Sequence, residues 1–237
     1  MQVNNKEDGM ETKRKKIGKM NEAAWILGIL LCTLGVCLCT KANFGISMIG
    51  APPYILHLWL RDALPWYTQG MSEYVWQGII LVVTCIAIMR FKLRYIVSFG
   101  TAILSGLSID MWLFIFGGNG AYENMVVRIV AFALGELITS VAIAFIFRTT
   151  LPVQIYELAV CEIADRYKLK RDRVKLVNDI VMLAISITLA LVLTGGWNGI
   201  GVGTIVITFV NAPLITLAGK VLDRIFEFDS RFPKLFG

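Results

Sequence analysis

"NFGISMIGAPPYILHLWL", residues 43–60, begins just after an apolar run long enough to cross a bilayer. It stays mostly apolar itself, yet Gly45, Gly50, Pro52 and Pro53 interrupt it, and the chain's only histidine, His57, lies inside it. Proline has no backbone N–H and drives the residue before it away from helix, but it fits a helix's first turn. The stretch therefore reads as the start of a short helix rather than as a second crossing. Two placements fit: a half-helix that enters the bilayer, or an amphipathic helix lying on its face.

The surrounding chain narrows the choice. Of the 237 residues, 57% are hydrophobic and 17% charged, and the mean hydropathy is +0.68. Soluble domains are less apolar and carry about 25% charged residues. The apolar residues fall in blocks of about twenty, the length a helix needs to cross about 30 Å of hydrocarbon. Six spans are predicted, at about 23–41, 74–90, 95–117, 125–147, 174–194 and 200–221. Where no water reaches the backbone every polar group must be satisfied internally, so the fold class is an all-α integral membrane protein. A basic arm (1–22) precedes the membrane domain (23–221), and a tail (222–237) follows it.

The formal charge of +6 is clustered at span ends and comes with no nucleic-acid-binding motif. Lys13, Arg14, Lys15, Lys16 and Lys19 precede the first span, and a second basic cluster runs from 166 to 175. By the positive-inside rule these clusters and "RFKLR" (90–94) face the cytoplasm. "GGNGAYEN" (117–124) and "TGGWNG" (194–199) lack basic residues and face outward. The expected location is the inner membrane, with both termini cytoplasmic. A basic flank before the first apolar block resembles a signal peptide, but that block exceeds a usual h-region and others like it follow. The five cysteines form no CxxC pair and no Cys/His ligand spacing, so neither a disulfide framework, a metal site nor a cofactor is expected.

One hundred residues after the opening stretch comes "RTTLPVQIYELAVCEIADRY", residues 148–167. Pro52 aligns with Pro152, Ile55 with Ile155 and Leu58 with Leu158, and upstream Leu34-Gly35 recurs as Leu134-Gly135. "GTAIL" from Gly100 has a counterpart in "GTIVI" from Gly203, and Asp110, ending "GLSID", has one in Thr216. These matches point to two repeats, about 23–120 and 121–221, each with three crossings. Three is odd, so the second copy is inverted, as in many secondary transporters. Each proline segment then follows the first span of its half, as a half-helix aiming a positive amino-terminal end at a central site or as an amphipathic surface segment. For 155–175, the dense charge after Asp165 favours the membrane face.

"TKANFGIS…PPYIL" after span one, "SGLSID" in span three, "VKLVNDIV" entering span five and "GIGVGT" opening span six carry a family likeness. On these motifs the chain resembles the YczE/YyaS/YitT-like family of bacterial integral membrane proteins, whose function is uncharacterised. The resemblance covers about residues 23–225 and implies a six-span inner-membrane protein. It departs from the family pattern at Thr216, where an aspartate often ends the "PLID" element.

A charge at the centre of a span costs about 2.5–3.5 kcal/mol on insertion scales, so each one needs a reason. Glu136 lies near the middle of span four, with Thr139 and Ser140 one turn onward, and Asn211 near the middle of span six. They fit a shared cavity with Glu136 as proton or cation carrier, or an interhelical hydrogen bond. Asp110 and Arg128 flank one short outer loop and are expected to form an ion pair, structural or gating. Asn178 and Asp179 lie just inside span five, with Asp179 placed to pair with Lys175 or to reach water. His57 and Glu157 occupy matching places in the two proline segments.

No catalytic set is visible: a single histidine excludes a multi-histidine metal site, and "GGNG" and "GVGT" are not strand-to-helix phosphate loops. The chain reads as a non-enzymatic small-solute permease or ion-coupled secondary transporter. Glu136 and Asn211 would line its site, and the proline segments would flank or gate it. Two alternatives stand. One is the substrate-binding subunit of an energy-coupling-factor importer, although Gly28, Cys32 and Gly35 replace an alanine-based contact face. The other is a membrane scaffold docking through 155–175. The expected partners are the lipid bilayer and a small solute or ion, with a homo-oligomer open and nucleic acid excluded.

Overall fold

The computed structural model describes residues 17–19, 21–149, 151 and 153–227. Among these, eight helices form: α1 (Asn21–Ala42), α2 (Ala51–Leu60), α3 (Gln69–Ile88), α4 (Arg94–Ile115), α5 (Met125–Ile146), α6 (Ile155–Tyr167), α7 (Arg171–Thr194) and α8 (Val202–Ile225). Ile17–Lys19 and Phe226–Glu227 pair as two short parallel strands, β1 and β2. Six helices (α1, α3, α4, α5, α7 and α8) are long and apolar enough to cross a membrane, and they coincide with the six predicted spans. The largest difference is at α3, which begins at Gln69, ahead of the predicted residue 74. The chain is a multi-pass membrane protein. Alternating crossings bring the β1–β2 pair and the α6–α7 corner to one end, here the termini end. Segments 43–68, 116–124 and 195–201 form the opposite loop end.

The helices are built inside out relative to those of a soluble protein. Along α4 the small polar residues Ser98, Thr101, Ser105 and Ser108 repeat at helical spacing and are buried, whereas Ile96, Ile103, Leu107 and Phe114 are exposed. Lipid solvates the apolar face as well as a neighbouring helix would, so hydroxyls and close backbone packing set which face turns inward. The most extensive interface is between α1 and α5, where a Cβ on Gly35 would stand 2.5 Å from Gly135 O. α1 also packs on α4, and α5 on α8; α2 packs on α3 and α7, and α6 on α3 and α7. α3 and α4 share a long interface, whereas among the described residues α7 and α8 share no comparable one.

The two short helices answer the question posed by residues 43–60. The Ile155 N–H that opens α6 donates to Gln77 Oε1 (3.2 Å), and Gln154 Nε2 donates to Ser105 Oγ (3.1 Å). Gln77 and Ser105 lie near the middle of α3 and α4, so α6 starts at mid-depth. It ends level with the α3–α4 turn, where Glu162 pairs with Lys92 and Tyr167 Oη donates to Ala87 O. This corrects the expectation that 155–175 lies flat on the membrane: α6 is a half-helix, and its charge is gathered in the last turns and the corner before α7. α2 enters from the other end, more shallowly. Ser186 Oγ, about two turns from the end of α7, donates to Met48 O (3.4 Å), and Ala51 and Ile55 pack on Ala190. Pro52 is fully buried in its first turn; Pro152 lies outside the described residues.

Lys41 closes α1 at the loop end. Its Nζ donates to Phe116 O and Gly118 O (both 2.9 Å), so a buried ammonium caps carbonyls at the carboxy-terminal end of α4. Lys41→Met is expected to cost about 2 kcal/mol by stranding those carbonyls, read as a lower unfolding midpoint in detergent. Trp112 donates its Nε1–H to Leu30 O (3.1 Å), tying α4 to α1.

Candidate functional site: a central acidic cavity

The one-sided packing of α7 and α8 leaves a cavity of about 240 Å³ along the axis of the bundle. Seven helices and segment 46–50 line it; only α2 contributes no wall residue. Most of the wall is aliphatic, with four carboxylates set into it: Glu73, Glu136, Glu157 and Asp179, each from a different helix. Lys175 is the one cation in the wall.

Each carboxylate is positioned by its helix's packing. Gly135 presses α5 onto α1, which turns the next residue, Glu136, into the cavity with 6% of its surface exposed. Its Oε1 has no hydrogen-bond partner among the described residues. One turn on, Ser140 Oγ donates to Asn211 Oδ1 (3.2 Å), tying α5 to α8. Glu73, in the first turns of α3, accepts from Gln77 Nε2 (3.1 Å) and from Tyr156 Oη (3.0 Å). Tyr156 thus serves as a neutral donor to the Glu73 carboxylate. Because Gln77 also receives the first N–H of α6, Glu73, Gln77 and Tyr156 fasten the half-helix tip to α3. Lys175 Nζ donates to Glu157 Oε1 (3.0 Å), and Asp179 is left with its buried Oδ1 unpartnered.

The structure thus brings together Glu136, Asn211, Asp179 and Glu157 in one cavity, while Asn178 is outside its wall. Asp179 does not bond to Lys175, because Glu157 holds that ammonium. Asp110 and Arg128 do not pair. Asp110 accepts from Thr68 Oγ1 (2.6 Å) and Gly70 N (2.8 Å), capping α3 from across the α3–α4 interface. Arg128 donates to Ala42 O (2.7 Å) and Asn43 O (3.0 Å) and lies over the Phe44 ring. Both are fixtures of the loop end, which is stitched further by Gly203 N–H to Phe44 O (2.8 Å) and Ile46 N–H to Gly199 O (3.1 Å). Pro52 and His57 also belong to the loop end and do not reach the cavity.

His57 is buried and fully occupied. Its Nδ1–H donates to Tyr67 O (3.1 Å), which leaves Nε2 to accept from Asn119 Nδ2. Burial lowers its pKa below the ordinary 6.5, so the folded protein resists a proton that the unfolded chain accepts. Stability is therefore fully present above that value and falls as pH drops through it toward the folded-state pKa. Unfolding midpoints at about pH 7.5 and 5.5 are expected to differ in the wild type by less than ~1.4 kcal/mol per pH unit, and His57→Gln is expected to flatten that slope.

Sequence reasoning missed Glu73, Tyr156 and Lys175 as wall residues. The clue available was the Glu73/Gln77 pair at i, i+4, which places two polar side chains on one helical face at the lip of an apolar run.

Comparison with known proteins places this architecture. Residues 20–220 match a family of unknown function, DUF6198. The chain belongs to that family. It is also similar to the uncharacterized protein YyaS of Bacillus subtilis (strain 168), with 23% identity over 208 residues, covering 86% of this chain and 95% of the relative. The resemblance read from "SGLSID" and "GIGVGT" is therefore sustained over most of the chain, and the structure gives those motifs physical content. In the first, Gly106 and Asp110 dock on Gly70; in the second, Gly201 and Gly203 pack against Phe44 O. No solved structure matches the chain.

Proposed function

We propose that the protein is a secondary transporter or permease of the bacterial inner membrane, with cytoplasmic termini, which moves a small solute by alternating access of the central cavity. The observation that carries this reading is the cavity itself: it lies at mid-depth, it sets four carboxylates into an otherwise apolar wall, and the approach to the α6 half-helix tip lines it. The packing pattern supports two inverted halves, with α1–α4 equivalent to α5–α8. Under that equivalence α1–α4 packing maps onto α5–α8, α2–α7 onto α3–α6, and α2–α3 onto α6–α7, and all of these interfaces are present.

Among the described residues the equivalence fails at α3–α4, which is closely packed while α7–α8 is not, and in a smaller way at α4–α6, which has no comparable α2–α8 counterpart. Such a difference is what a two-state device needs. In the conformation described, the loop end is shut by Asp110 on Gly70 and by the Phe44–Gly203 stitch. The exchanged state would pack α7 on α8 and part α3 from α4.

Labelling of single cysteines in a cysteine-free background tests the inverted halves. Asp62→Cys follows α2 and Leu169→Cys follows α6, and both positions are exposed. Labelling of position 62 from outside the cell and of 169 from the cytoplasm is the expected result. Labelling of both from the same side would overturn the reading.

A further inference from the structure

The cavity wall specifies the charge of its occupant. Glu157 and Lys175 neutralise one another through a 3.0 Å bond. Glu73, Glu136 and Asp179 then remain with no cation in the wall to balance them. Glu73 has two donors, but neutral ones. Glu136 is the most telling of the three: it lines the cavity with 6% of its surface exposed, and its buried Oε1 has no hydrogen-bond partner among the described residues. A buried carboxylate oxygen without a donor is costly unless a positive group or another donor arrives.

The remainder of the wall limits what that group is. A desolvated inorganic ion needs several oxygens converging on one point, at about 2.0–2.6 Å for calcium or magnesium. Among the described residues no three histidine, cysteine or carboxylate side chains are grouped so as to hold a metal ion. The carboxylates are instead dispersed over four helices, and aliphatic and aromatic side chains such as Ile109, Ile143, Phe147 and Ile207 fill the space between them. An apolar body fits that surface, and a diffuse positive charge fits one carboxylate at a time.

We infer that the cavity binds a small organic cation with an apolar body, of the substituted-ammonium class, with Glu136 as its counter-ion. The inference rests on reading this cavity as the substrate site, and it names the substrate class. Asp179 lies toward the termini end and gives the cation a second carboxylate on its path. The same charge distribution rejects organic anions.

The test is calorimetric titration of the purified full chain in nanodiscs with benzyltrimethylammonium, its neutral isostere neopentylbenzene, and benzenesulfonate. Saturable binding of the ammonium, weaker binding of the isostere and none of the sulfonate is the expected order. Glu136→Gln should weaken the ammonium about tenfold or more, and Asp179→Asn less, with unchanged elution volumes showing that both variants fold. Three results would overturn the inference: no ammonium binding up to about 10 mM, equal binding of the neutral isostere, or unchanged affinity in both variants. Heat from sodium or protons alone would likewise overturn the organic class. Uptake of the ammonium into proteoliposomes is a separate readout. Binding without uptake overturns the transport reading and leaves the site assignment standing, whereas failed binding leaves transport of another solute class standing.

Discussion

Gly35→Leu is expected to leave no monodisperse protein after extraction from the membrane. A Cβ on Gly35 would stand 2.5 Å from Gly135 O and 2.9 Å from Thr139 N, so the obstacle is backbone, which no rotamer change relieves. α1 and α5 form the most extensive helix pair in the bundle, and Glu136 follows directly on Gly135. In lipid such pairs are held by van der Waals contact between small residues, with little hydrophobic force to re-form them once they part. Gly35→Ala alone should cost about 3 kcal/mol, the upper range for overpacking, and leucine more. Gly100→Ala is the control, because a Cβ there meets nothing within 4 Å. Size-exclusion profiles and thermal midpoints in one detergent separate the three variants.

Asp110→Ala comes next in size, at about 2 kcal/mol, because it strands two donors that a half-buried carboxylate holds. Asp110 binds Thr68 Oγ1 and Gly70 N, while Thr68 itself accepts from Met71 N at the α3 N-cap. The carboxylate also opposes the positive amino-terminal end of α3. Asp110→Asn keeps an acceptor and should lose less than half as much, and Thr68→Val should destabilise in the same direction. A double-mutant cycle between 68 and 110 measures the coupling. If Asp110→Ala and Asp110→Asn matched the wild-type midpoint, this bond would not be what closes the loop end.

Much of this was legible in the sequence, and two of the exceptions share a cause. The spans were plain from apolar runs because lipid demands them, and Pro52 marked α2 because proline fits a first turn. The mid-span positions of Glu136 and Asn211 left open a shared cavity or an interhelical hydrogen bond; both residues line one cavity, and Asn211 also bonds Ser140. The start of α3 was misplaced because Gln69, Ser72 and Gln77 are polar yet buried at the centre of the bundle. Hydropathy reads such residues as loop, and Glu73 fell outside the predicted span for that reason. Similarly, α6 was assigned to the surface from its charge, because Gln77 and Ser105, which receive its tip, lie about 80 and 50 residues away in sequence. The Asp110–Arg128 pairing failed for a further reason: each found backbone groups at helix ends, which pattern matching between charges does not consider.

Alternating access is tested most directly at Asn211, which lines the cavity between Ser140 and Thr208. A single cysteine at 211, in a cysteine-free background, would be exposed to an impermeant thiol reagent in intact cells and in inverted vesicles. Reaction from both faces, faster from the termini side, is the result that the proposed closure of the loop end predicts. Reaction from one face only, unchanged by added benzyltrimethylammonium, would contradict a transporter and leave a one-sided binding protein in its place.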